Sequence, residues 1–279
     1  MKAKEFRTEA REKLAGKWGD AALITFIYTC ICSTSAILAG VVLPKELILL
    51  WDLLYYVLII PLAFGLNVSY FKIFNGEETD LFDFIKDGFK FFKISLEIQL
   101  RIIFKLLIPC AILCIAMLTI GFVAGVSSMV GGNGLGVMLV VVSVFYVVAC
   151  IWTMAVKYKY TMANYIVIEN PEIKSKEALE KSWELMKGNR LKLFGLHFSF
   201  IGWALLSIFT LYIGLYWLVP YTSISTIAFY KHLKGEEKTE VVQEIVEEKP
   251  EEVVQEIEEK TEEVSEETEK EEDVSEENE

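Results

Sequence analysis

The amino-acid sequence predicts an all-α, polytopic membrane protein: six transmembrane helices in three hairpins, an amphipathic interfacial helix before each hairpin, and a disordered acidic tail. Three observations carry that expectation. Several charge-free apolar runs are as long as a bilayer core is thick. The charge is split between two parts. The formal net charge is −12 over 279 residues, but residues 236 to 279 hold 22 acids against 4 lysines, a net of −18. That leaves +6 for the remainder, from 23 basic and 17 acidic residues. Third, the apolar part repeats itself. A conventional soluble domain does not combine 53% hydrophobic residues with this acidity. The basic residues lie beside apolar runs, so no nucleic-acid partner is expected.

The elements follow in order. FRTEAREKLAG is a short amphipathic segment ending at Gly16. Residues 21 to 43 carry no charge and are long enough, at about 1.5 Å per residue, to cross a core of about 30 Å. Residues 47 to 71 form a second span holding one charge, Asp52. LFDFIKDG, ending at Gly88, is the second amphipathic segment, and the charge-free runs 106 to 126 and 135 to 156 are spans three and four. EALEKSWELMKG is the third amphipathic segment. Ser175 is its expected N-cap, Ala178, Leu179, Ser182, Trp183 and Met186 share one face, and Gly188 suits the left-handed C-terminal position. Residues 193 to 230 are 38 residues without a formal charge, about 57 Å as one helix and too long for one span. A tight turn near residues 214 to 220 is expected to divide them into spans at about 193 to 213 and 215 to 232. The membrane domain is then 1 to 234, and 235 to 279 is a low-complexity tail.

Orientation follows from Lys and Arg. Six lie in the N-terminal segment (residues 2 to 17), six between residues 72 and 105, and eight between 157 and 192. The turn at 44 to 46 has one, and the glycine-rich turn at 127 to 134 has none. Both termini and the long loops are therefore expected on the cytoplasmic side. The first span is too long for a signal-peptide core and lacks a small-residue cleavage pattern after it.

The repeat aligns IPLAFGLNVSYFKIFNGEE with VPYTSISTIAFYKHLKGEE without a gap. Pro61, Lys72 and Gly76 match Pro220, Lys231 and Gly235, and the aromatic pair Tyr70 and Phe71 falls on Phe229 and Tyr230. A weaker third copy places Tyr165, Asn170 and Glu172 against Tyr70, Asn75 and Glu77, with Val156 in place of the proline and hence a straighter helix. Copies that keep one orientation put any symmetry axis along the membrane normal.

Polar residues in or beside the spans are the candidate pathway or lipid-contact positions. Lys93, Glu97, Arg101 and Lys105 repeat every four residues and make one stripe, with Glu97 and Arg101 in the favourable ion-pair order. That stripe either lines a polar cavity, grips anionic headgroups, or is a solvated face with snorkelling heads. Asp52 fits a proton or cation role, or a structural carboxylate near the outer interface. Pro61 with Asn67 and Ser69, and Pro220 with Ser223 and Thr226, either line a pathway between hairpins or hydrogen-bond between helices. His197 and His232 have no partner at metal-ligand spacing. Cys30, Cys32, Cys110, Cys114 and Cys150 all lie inside spans as packing residues. GGNGLG at 131 to 136 lacks the lysine of a phosphate loop. No catalytic or metal constellation is present, so neither an enzyme nor a cofactor is expected. The tail, with EVVQEI at 240 and 252 and VSEE at 264 and 274, is expected to be solvated. It is suited to a basic cytoplasmic protein or to folding back on the basic loops.

REKLAGKW, the segment from Tyr158 to Ile208 with its GNRLKLF and FIGW elements, and LYWLVPYTSISTIAFY resemble the bacterial integral membrane proteins grouped as domain of unknown function 975. The resemblance covers roughly residues 1 to 234 and excludes the acidic tail. It implies a multi-pass plasma-membrane protein, found largely in Gram-positive bacteria, and it implies no activity, cofactor or catalytic residue. Two functions remain in view: a non-enzymatic scaffold or accessory membrane protein that meets anionic lipids through its basic interfacial helices, and a small transporter or channel between the repeated hairpins.

Overall fold

The computed structural model describes residues 2–129 and 134–248, and all regular structure among them is helical. The helices are α1 (Ala3–Lys13), α2 (Trp18–Val42), α3 (Lys45–Asn75), α4 (Asp83–Lys90), α5 (Phe92–Met129), α6 (Gly134–Tyr160), α7 (Ala163–Glu169), α8 (Ser175–Leu185), α9 (Arg190–Phe198), α10 (Ile201–Phe209) and α11 (Leu215–Glu248). The chain forms two compact units, Met1–Tyr230 and Lys231–Glu279. α2 packs on α3, α5 on α6, and the short α4 on α3. The expected glycine-rich turn falls largely on residues 130 to 133, and most of the acidic repeats lie beyond residue 248. Both are outside the described residues.

Three stretches among the described residues are long and apolar enough to cross a membrane, where the sequence suggests six: Lys45–Asn75, Met138–Glu169 and Arg190–Phe209. The last third of the apolar sequence departs most from expectation. The run 193 to 213 is two helices broken at Ser199 and Phe200, and the turn lies at Thr210 to Gly214, so that Pro220 is inside α11 rather than in the turn. Leu211 and Tyr212 close that turn with φ of 51° and 64°, a left-handed conformation costly for side chains with a Cβ. α11 also continues to Glu248, so residues 235 to 248 are helical instead of disordered.

Packing is concentrated at one end of the long helices, here called the base. Phe6 and Leu14, Tyr70, Phe84, Met162, Met186, Leu196 and Ile224 are buried there. The aligned aromatic positions meet in it: Phe71 stacks on Tyr165 at 6.3 Å between centroids, Tyr165 lies 5.7 Å from Tyr230, and Phe6 meets Phe229 edge-on at 5.3 Å. Tyr70 and Thr25 share a buried 2.7 Å hydrogen bond, and Tyr230 donates to Glu169 at 2.7 Å.

Glycines do three different jobs near the amphipathic helices. Gly16 and Gly188 take positive φ after α1 and α8, as left-handed terminators. Gly88 does not: α4 runs on to Lys90, and a Cβ on Gly88 would overlap the Pro61 carbonyl. A Cβ on Gly65 would likewise overlap the Phe84 carbonyl. Pro61 and these two glycines thus let α3 and α4 approach backbone to backbone. Gly76 caps α3 with φ of 86°, whereas its aligned Gly235 lies inside α11. Ser175 is the first residue of α8, not its cap; Lys174 precedes it and no side chain caps the helix. The Ser175 hydroxyl is used elsewhere, as an acceptor from Arg101.

The amphipathic helices also mark a level on the long ones. α4 meets α3 at Pro61. α1 meets α11 at Tyr221, whose hydroxyl donates to the Arg7 carbonyl at 3.2 Å, while Phe200 packs edge-on against Tyr221 at 4.9 Å. Above that level α3 extends sixteen positions back to Lys45, about 24 Å, but α11 extends only six back to Leu215, about 9 Å.

Candidate functional site

The stripe on α5 faces α6 and α8 at the foot of the long α5–α6 pair. Arg101 reaches Glu97 one turn back, Nη2 to Oε1 at 2.7 Å, and its Nε donates to Ser175 Oγ at 3.0 Å. The pair is therefore pinned to the start of α8. The hydrogen bond from Arg101, then the Ser175 hydroxyl and the nearby positive charges, hold the Glu97 carboxyl below the usual carboxylate range. One turn further, Lys105 Nζ donates to the Tyr160 hydroxyl at 2.7 Å and lies 4.4 Å from that ring's centroid.

α8 supplies the other wall. Its apolar face, Ala178, Leu179 and Ser182, is buried, as the sequence pattern predicts. Trp183 stands at the edge, 41% exposed, with Lys159 at 4.1 Å and Lys187 at 4.9 Å from its ring. These are cation–π distances. Arg101, Lys105, Lys159, Tyr160, Lys176 and Trp183 line a cleft of about 480 Å³. Glu180 also lines it, 3.8 Å from Lys176. Four cations against one lining carboxylate leave the cleft positive, and the exposed apolar side chains of Phe104 and Leu107 begin directly above it. Such a site suits a phosphate or another small anion.

The other predicted positions are placed differently. Asp52 is exposed on α3. Pro61 and Ser69 are buried, Pro61 beneath α4, and Asn67 donates to Ala63 O of its own helix at 2.9 Å. Pro220 is buried in α11, Ser223 is half-buried, and Thr226 donates to Thr222 O at 2.8 Å. No hydrogen bond among the described residues joins the polar positions of α3 to those of α11. Of the stripe, Arg101 and Lys105 line the cleft and Glu97 is tied to Arg101, whereas Lys93 is not among the lining residues.

Two features escape sequence reasoning. His197, unpartnered by spacing, bridges three helices: Tyr158 OH lies 3.1 Å from Nδ1 and Thr226 Oγ1 lies 3.1 Å from Nε2. The partners are 39 and 29 residues away, so no local pattern announces them. Trp183 shares a predicted apolar face but serves as a platform for two lysines; Lys187, four residues on, is the local signal for one of them. Among the described residues no group of His, Cys, Asp and Glu is placed to hold a metal ion.

The family described as protein of unknown function (DUF975) matches residues 1–237. Neither the curated proteins nor the solved structures contain a match.

Proposed function

The chain belongs to the DUF975 family, and on that premise we propose that it is a non-enzymatic bacterial plasma-membrane protein. In this reading it is a scaffold or accessory subunit that grips the anionic cytoplasmic leaflet through its basic amphipathic helices. The observation that carries the reading is the positive, tryptophan-edged cleft between α5, α6 and α8. A cation near an anionic leaflet contributes on the order of 1 kcal/mol, and Trp favours the membrane–water boundary. The pathway alternative has less support, because α4 covers Pro61, Asn67 bonds its own helix, and Thr226 is shared between its own helix and His197.

The topology that fits has both termini in the cytoplasm, α2, α3, α5 and α6 as crossings, and α10 with the start of α11 as a hairpin that dips in and returns. α1 carries seven charges in eleven residues and cannot sit at the bilayer centre. Starting from the level of α1 at Tyr221, α11 rises about 9 Å, against about 24 Å for α3 above Pro61, and falls much further short of a core of about 30 Å. Tyr212→Cys, in a chain stripped of its five native cysteines, is expected to resist a membrane-impermeant thiol reagent applied outside; labelling there would establish a full crossing.

The lipid reading is tested by co-purification. Full-length protein extracted from bilayers of mixed phosphatidylglycerol and phosphatidylcholine is expected to retain phosphatidylglycerol above its bulk fraction. Lys105→Gln with Lys159→Gln and Lys176→Gln is expected to reduce that enrichment several-fold. Equal enrichment in wild type and triple variant would sink the proposal. The scaffold half is tested by crosslinking pull-down from native membranes, comparing the full chain with one ending at Lys234; a protein recovered alone in both, with full activity in lipid, argues against it.

A further inference from the structure

A second site lies between the N-terminal helix and the short third hairpin. A cavity of about 650 Å³ is bounded by Arg7 and Arg11 of α1, Trp18 of α2, Trp203 of α10, and Trp217 and Tyr221 of α11. Three of the protein's six tryptophans line it. That volume falls within the usual range of small-molecule sites. Its chemistry is two-sided: the walls are aromatic and apolar, and both charges come from one face of α1, four residues apart.

The two arginines have few obligations. Arg7 Nη1 reaches Ser199 O only at 3.5 Å, and Arg11 Nε reaches Arg7 O at 3.4 Å. Arg7 Nε is buried without a hydrogen-bond partner. Among the described residues neither arginine is in an ion pair, although α1 also carries Glu5, Glu9 and Glu12. A buried, charged donor left unmatched is costly. Arg7 Nε itself is closed to a ligand, but Arg7 is half-buried and Arg11 exposed, and their remaining guanidinium N–H groups match a phosphate with paired, charge-assisted hydrogen bonds.

We propose that this cavity binds one anionic phospholipid of the inner leaflet, its phosphate held by Arg7 and Arg11 and an acyl chain lying against Trp203 and Trp217. The dipping hairpin supports the assignment: a full crossing would carry the turn away from α1, whereas the short one brings Thr210 and Gly214 to the same cavity as the arginines. The site is separate from the α5–α6–α8 cleft and does not depend on it.

Tryptophan fluorescence of the full chain in non-ionic detergent tests this, using short-chain phosphatidylglycerol and phosphatidylcholine with brominated acyl chains. Phosphatidylglycerol is expected to quench saturably at a concentration about tenfold lower than phosphatidylcholine, and 0.5 M salt to remove most of that advantage. Arg7→Gln with Arg11→Gln is expected to raise the half-saturating concentration about tenfold, while Arg7→Lys with Arg11→Lys preserves much of the preference and reports on folding. In a Trp183→Phe background, which silences the α5–α6–α8 cleft, Trp203→Phe with Trp217→Phe removes most of the quenched signal, and Lys86→Gln leaves the titration unchanged. Equal quenching by the two lipids, a preference indifferent to salt, or an unchanged arginine-to-glutamine variant overturns the proposal. Inorganic phosphate that displaces the lipid at equal concentration would overturn it in favour of a simple anion site.

Discussion

The base of the molecule and its apolar arms are built from the same kinds of residue but obey different rules. In the base, Met162, Leu193 and Ile224 are fully buried, and Gly65 and Gly88 lie where a Cβ would strike backbone. In the arms, Val41, Leu49, Met129 and Phe209 are 80 to 90% exposed, and Gly121 and Gly125 have open space around them. Exposed apolar surface on this scale is not stable against water. The base buries its apolar groups against protein, while the arms require a second apolar medium, which a bilayer supplies at no packing cost.

The sharpest way to break this contrast is with glycine. Gly65→Val is expected to cost about 3 kcal/mol or more, or to prevent folding, because two backbones must separate. Gly121→Ala should be neutral or slightly stabilising, by up to about 1 kcal/mol from helix propensity. Denaturation of both variants in one detergent checks the pair, and equal losses would refute the distinction. Next come the methionines. Met162→Ala is expected to cost about 2 to 4 kcal/mol from lost burial and a cavity, against less than about 0.5 kcal/mol for Met129→Ala.

Smaller effects sharpen the comparison. Tyr70→Phe removes the buried bond with Thr25 and should lower stability by about 1 kcal/mol; Tyr146→Phe, on the exposed part of α6, should be silent in the same melt. Leu211→Gly relieves a left-handed turn residue and is expected to raise the midpoint, by at most about 1 kcal/mol. The weakest effect is acid sensitivity at Glu97. A carboxylate held low in the folded state stabilises it above the unfolded-state value, and loses that contribution as pH falls through the folded value. Glu97 is half exposed, so the loss on acidifying below about pH 4 should be at most about 0.5 kcal/mol. Glu97→Gln should flatten that part of the pH–stability curve, and an unchanged curve would remove the ion pair from the account of the α5–α8 contact.

Much of the fold is legible in the chain. Apolar runs over 21 to 43, 47 to 71, 106 to 126 and 135 to 156, charged only at Asp52, anticipate α2, α3, α5 and α6 to within a few residues at most ends, except where α5 extends back through the stripe. The position of Gly188 announces a left-handed terminator, and the segment ending at Gly16 proves to have another. In the candidate site, the four-residue spacing from Lys93 to Lys105 is enough to see one charged face. Lys159, Lys176 and Trp183 belong to that site only because α6 and α8 come to rest beside α5.

By itself, then, the sequence determined where apolar length and charge place each segment, because helical rise and hydration act locally. Tertiary structure alone decided how the last charge-free stretch is divided into helices. The same charge-free stretch is compatible with two spans or with a short dipping hairpin. What the fold adds to it is the docking of Tyr221 on Arg7 and the break at Ser199 and Phe200. It likewise made Gly88 a contact instead of a terminator and joined His197 to Tyr158 and Thr226. These outcomes depend on contacts between residues far apart in the chain, and burial energy and steric fit are properties of the assembled neighbours, which no local pattern of residues contains.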